Sequence, residues 1–61
     1  MAEYKLYFLS RRTGRMERRE DLECDGDAQG VREAESLADG RAMELWQGTR
    51  LVKVFPAKEP D

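Results

Sequence analysis

Three groups of side chains in this 61-residue chain are of types that could do chemistry: an arginine cluster, an acidic run and one thiol. Arg11, Arg12, Arg15, Arg18 and Arg19 fall within one short stretch, with Glu17 as the only opposing charge. Guanidinium groups at this density, near Tyr4, Tyr7 and Phe8, suit a phosphate backbone whose bases stack on the rings. These five arginines are therefore the candidate nucleic-acid contacts. Two facts oppose that reading. The chain is acidic overall, with a net charge of −2, and nothing in it matches the aromatic signature of RNA-binding sheets.

The acidic run is Glu20, Asp21, Glu23, Asp25 and Asp27, with Gly26 inside it. It resembles a calcium loop only in composition. The alternating ligand spacing and the glutamate at the twelfth position are missing, so a solvated strand end and helix start is the expected reading. Cys24 has no basic neighbour in sequence and alternates with core positions, which suits a small buried hydrophobe. The chain has no histidine, the commonest general base and metal ligand. Gly14, Gly26 and Gly30 form no phosphate-binding pattern. No catalytic residue, cofactor or metal is expected, and a binding function is preferred to an enzyme.

The charge is distributed unevenly. Residues 20–39 hold eight acids against Arg32, whereas residues 11–19 hold five arginines against Glu17. A chain polarised in this way could steer an ionic partner or pair with a second copy of itself. The plainer reading is two solvated segments of opposite sign.

A chain of this length forms one domain, near the lower limit for folding without a metal, a disulfide or a partner. The lone cysteine cannot make an internal disulfide. No apolar run is long enough for a membrane span, and the N-terminus lacks a basic region followed by an apolar one. A soluble, cytoplasmic protein is expected.

The elements that must position these groups are short. Tyr4–Leu9 predicts a strand, and Ser10–Arg15, with Thr13-Gly14, a turn. Met16–Cys24 returns as a second strand, charged in its middle as suits a sheet edge. Asp27–Asp39 predicts the one helix, with Asp27 as N-cap and Gly40 at its C-terminal stop. Val31, Ala34 and Ala38 form its inner stripe, flanked by Ala28 and Leu37, and Gly30 weakens it by about 1 kcal/mol relative to alanine. Met43–Phe55 closes the chain as a hairpin turning at Gln47-Gly48; with two residues in the loop, or four in the same register, Met43 opposes Val52 and Glu44 opposes Leu51, whereas a three-residue loop would slip the register and reshuffle the faces. Pro56 stops the last strand, giving a single domain over residues 1–56 and a flexible tail over 57–61.

Strand alternation sorts the side chains. Tyr4, Leu6, Phe8, Leu22, Cys24, Met43, Leu45, Val52 and Val54 form an inner set that the helix can cover. Tyr7, Leu9, Trp46, Leu51 and Phe55 form a second apolar group on the other face. One helix covers only one face, and monomers rarely expose such a patch unused. These five residues are the candidate interface of a protein–protein interaction module. A homodimer is the simplest occupant, since one self-complementary patch suffices; another protein could fill the same place. The alternative is a nucleic-acid-binding module using the Arg11–Arg19 cluster.

The order Tyr-x-Leu-Tyr-Phe-Leu, an Arg/Gly turn, an acidic strand end, an Ala-rich helix and then Glu44-Leu45-Trp46-Gln47-Gly48-x-Arg50-Leu51-Val52 resembles a group of short uncharacterised bacterial proteins. Those close a ββαββ unit with a Glu-Leu-Trp-x-Gly-x-Arg-x-Val type of hairpin. The likeness spans nearly the whole chain, and only the last hairpin is specific. It implies a bacterial cytoplasmic setting and carries no activity. The expected fold is α+β: four mainly antiparallel strands in one sheet, in ββαββ order, with the helix packed on one face.

Overall fold

Alternating burial along the first strand sets the architecture. In the computed structural model, which describes residues 2–58, β1 (Ala2–Leu9) buries Tyr4, Leu6 and Phe8 and turns Lys5, Tyr7 and Leu9 the other way. The chain continues through β2 (Met16–Cys24), α1 (Asp27–Ser36), β3 (Met43–Gln47) and β4 (Arg50–Phe55). All neighbouring strands are antiparallel, in the order β2-β1-β3-β4. The fold is thus the expected ββαββ arrangement, with β2 at an edge.

Because β2 and β3 both run antiparallel to β1, the α1 connection crosses over β1 from one flank to the other. The core lies between helix and sheet and comprises Tyr4, Leu6, Phe8, Cys24, Ala34, Met43, Leu45 and Phe55, with Ala2, Leu22, Val31 and Val52 packed against it.

The helix is shorter than the sequence predicts. It ends at Ser36, with Leu37 as the C-cap. Local side-chain bonds compete with the next turn. Ser36 Oγ donates to the Glu33 carbonyl at 2.8 Å, and Asp39 accepts from the Arg41 backbone N–H at 3.2 Å. Ala38 and Leu37 are exposed rather than part of the stripe, as is Ala28. Gly40, at φ 95°, lies in the connection and not at the helix end. Gly30 is buried, and a Cβ placed on it would lie 3.4 Å from Leu45 and 3.6 Å from Tyr4. A methyl group would just fit there, whereas a larger side chain would hold the helix off the sheet.

The last hairpin also differs. Its two-residue loop is Gly48-Thr49, with Gln47 opposite Arg50. Gly48 has φ 59°, and among the described residues no non-glycine residue has positive φ. This pattern belongs to a hairpin turn with glycine at the first central position. The pairing then slips: Trp46 opposes Leu51, whereas Leu45 opposes Lys53 and Met43 opposes Phe55. Val52 is the extra residue of a bulge, and such an insertion exchanges the faces of every later side chain. Residues 57–58 return to the body, where the Lys58 N–H donates to the Gly40 carbonyl at 3.0 Å. The remainder of the expected tail lies outside the described residues.

Candidate functional site

Directly opposed residues in antiparallel strands share a face, so the registers define the helix-free surface row by row. One row holds Asp21, Lys5, Trp46 and Leu51; the next holds Arg19, Tyr7, Glu44 and Val54; a third holds Met16 and Leu9. Three of the large apolar side chains are strongly exposed, Met16 at 56%, Val54 at 51% and Leu51 at 44%. Tyr7, Leu9 and Trp46 are half-buried among them. A shallow concavity of about 450 Å³ runs across this face, lined by Tyr7, Leu9, Met16, Glu44, Trp46 and the Gly48-Thr49 turn. Trp46 Nε1 donates to Glu44 Oε1 at 3.1 Å, which orients the ring.

Four of the five predicted interface residues, Tyr7, Leu9, Trp46 and Leu51, are brought together here. Phe55 is not. It opposes Met43 in the core and is 8% exposed. The Val52 bulge rotates Phe55 inward and Val54 outward, so the two exchange the places that strict alternation assigns them.

Met16 belongs to neither of the two sets expected from the sequence, and it too lies on the open face. Phe8 opposes Arg18 and Leu9 opposes Met16, leaving Glu17 unpaired in a second bulge, which turns Met16 onto the open face. Nothing in the spacing of charged residues announces either bulge. The apolar Met16 and Val54 fit the inner face by plain alternation, so they gave no sign of the bulges either.

The arginine cluster does not form one surface. Arg18 opposes Phe8 on the helix side, stands 5.5 Å from its ring and pairs with Glu20 at 2.5 Å. Arg19 opposes Tyr7 on the open side and pairs with Asp21 at 3.5 Å. Successive residues of a strand point to opposite faces, so these two are divided by the sheet. Arg11, Arg12 and Arg15 remain together in the exposed 10–15 loop. Ser10 shapes that loop, its Oγ accepting from the backbone N–H groups of Arg12 and Thr13 at 3.1 and 3.3 Å. Among the described residues these three arginines have no ion-pair partner.

Asp27 does not cap its own helix. It is the first helical residue after Gly26, and its carboxylate is engaged from the sheet. The Tyr4 hydroxyl donates to Oδ1 at 2.6 Å, and Arg50 donates to Oδ1 and Oδ2 at 2.9 and 3.1 Å. The Arg50 bonds, then the Tyr4 bond, pull the Asp27 carboxyl down to about 2. The same hydrogen bond, with burial, pushes the Tyr4 phenol up. Arrangement and charge suit a structural clamp. Cys24 is fully buried, and burial first, then Glu33 and Asp25, push its thiol up, the opposite of what a nucleophile needs.

Among the described residues no helix is long and apolar enough to cross a membrane. Compared with models of known protein families, with curated proteins and with solved structures, the chain matches none.

Proposed function

We propose that this chain is a small interaction module that associates with a second copy of itself through the helix-free face of its sheet. The supporting observation is the gathering of exposed Met16, Leu51 and Val54 around Tyr7, Leu9 and Trp46 on the sheet face that, among the described residues, no element covers. Burying apolar area at roughly 25 cal/mol per Å² drives such pairing, and tryptophan and tyrosine near the centre of a patch are typical anchors. A two-fold pair needs only one such patch. Association would also support a chain this small by mass action. The reading is one of binding, without catalysis. Its setting is the bacterial cytoplasm, supported by the resemblance of the closing hairpin and by an unpaired thiol suited to a reducing compartment.

Sedimentation velocity tests it. The wild type should sediment as a dimer at micromolar concentration, and Trp46→Glu or Leu51→Glu as a monomer. Leu37→Glu, an exposed apolar position on the helix side at 39%, should leave the dimer intact. A folded wild-type monomer at high micromolar concentration removes the reading.

A nucleic-acid-binding module is the second reading, favoured by Arg11, Arg12 and Arg15, which have no ion-pair partner among the described residues. Glu3, Asp21, Glu23 and Glu44 share the open face with the rings and oppose a phosphate backbone there. Absence of binding to single-stranded RNA or DNA at low salt ends it.

A further inference from the structure

The open face is unequally charged along its length. Near the end where Ala2 opposes Cys24, Glu3 and Glu23 stand directly opposite each other on this face. Like charges so placed destabilise a strand pair. Lys5 comes only within 3.9 Å of Glu3, and Glu23 has no ion-pair partner among the described residues. Asp25 adds a third exposed acid just beyond. At the other end, past Leu9 and Met16, the 10–15 loop holds Arg11, Arg12 and Arg15.

Glu3 and Leu9 are separated along β1 by about 20 Å at roughly 3.3 Å per residue. That is about twice the screening length at 0.1 M salt, so acid end and arginine loop cannot neutralise each other within one chain.

A second copy can do so. Two sheets packed face to face with two-fold symmetry have two settings. With the axis along the strands, loop meets loop and acid end meets acid end. With the axis across the strands, each loop lies over the partner's acid end, and the attraction is made twice.

We infer that the partner of the open face is an antiparallel second copy, its Arg11-Arg12-Arg15 loop seated on the Glu3/Glu23 end of the first. The inference rests on the self-association proposed above and adds its orientation. The axis crosses β1 near Tyr7, midway between Glu3 and the loop. The Leu9/Met16 end of each apolar patch is then directed toward the Trp46/Leu51 end of the other. The charge pattern, which alone would suggest solubility, becomes the element that sets direction.

The test uses three charge-reversal variants of the full chain, each checked for wild-type circular dichroism. Loop reversal is Arg11→Glu with Arg12→Glu and Arg15→Glu; end reversal is Glu3→Lys with Glu23→Lys; the third variant carries both sets. Sedimentation should show self-association weakened about tenfold or more by either reversal alone and restored to near wild type by both together. Wild-type association should also weaken between 25 mM and 500 mM sodium chloride, a measurement that needs no variant. Loop reversal without effect, or association that strengthens with salt, overturns the antiparallel setting while leaving the open-face reading in place if Trp46→Glu still yields a monomer. A wild type that never associates removes both. Loss of binding to single-stranded RNA on loop reversal, with dimerisation unchanged, assigns the arginines to nucleic acid instead.

Discussion

Arg50, the first residue of β4, grips Asp27, the first residue of α1, through Nη2–Oδ1 at 2.9 Å and Nη1–Oδ2 at 3.1 Å. A fork of two parallel donors on one carboxylate is the strong form of an ion pair. Here it joins the sheet's last strand to the helix, and Tyr4 adds a third donor from β1. Gln47 also meets Arg50 and holds the guanidinium beside the hairpin turn. The N-terminus of the helix is thus tied to β1 and β4 by side chains far apart in sequence.

The clamp makes stability depend on acid pH. Asp27 is held at about 2, below the ordinary 3.8. A carboxyl depressed in the folded state contributes stability that is fully present above its unfolded value and is lost as pH falls toward the folded one. Unfolding midpoints should therefore fall between about pH 4 and pH 2. Asp27→Asn should lower the midpoint at pH 7 and flatten that fall, read by urea titration at stepped pH. An unchanged acid limb would show that the clamp does not act.

Gly30→Ala should stabilise the protein by about 0.5–1 kcal/mol, because alanine is favoured in a helix interior by that amount. Its Cβ would reach Leu45 at 3.4 Å, an ordinary contact. Gly30→Leu should destabilise by about 1–3 kcal/mol through overpacking against Tyr4 and Leu45. Thermal denaturation of both variants measures the pair, and a stable leucine variant would mean that the helix sits farther from the sheet.

Phe55 and Val54 are adjacent, yet their truncations should differ sharply. Phe55→Ala should cost about 3–5 kcal/mol as a core cavity, enough to leave a chain this small largely unfolded. Val54→Ala should change monomer stability by less than about 0.5 kcal/mol while weakening self-association. The reverse outcome would restore the unbulged register.

Cys24 should react with a thiol reagent only on unfolding. Burial and nearby carboxylates both disfavour the thiolate, the reactive form. Labelling at pH 8 should be slow in buffer and immediate in urea. Cys24→Ser should destabilise by about 1–3 kcal/mol, since it buries a hydroxyl without a partner. Fast labelling of the native protein would contradict the burial.

Much of the architecture was legible from the chain. Period-two alternation in Tyr4–Leu9, the charged middle of Met16–Cys24 and the Gly48 turn region were enough to predict the ββαββ order and the edge position of β2. Alternation also collected Tyr7, Leu9, Trp46 and Leu51 on one face, because side-chain direction in an unbroken strand is a local property. Register is not local. Each bulge adds one residue to one strand, and whether it forms depends on which face the neighbouring strands and helix bury. Tertiary packing therefore placed Phe55 in the core and Val54 and Met16 outside, and gave Asp27 to Tyr4 and Arg50 instead of to its own helix. Residue types along the chain determined that an apolar second face and a polarised charge pattern would exist. The pairing of strands, which joins residues distant in sequence, decided which side chains compose them.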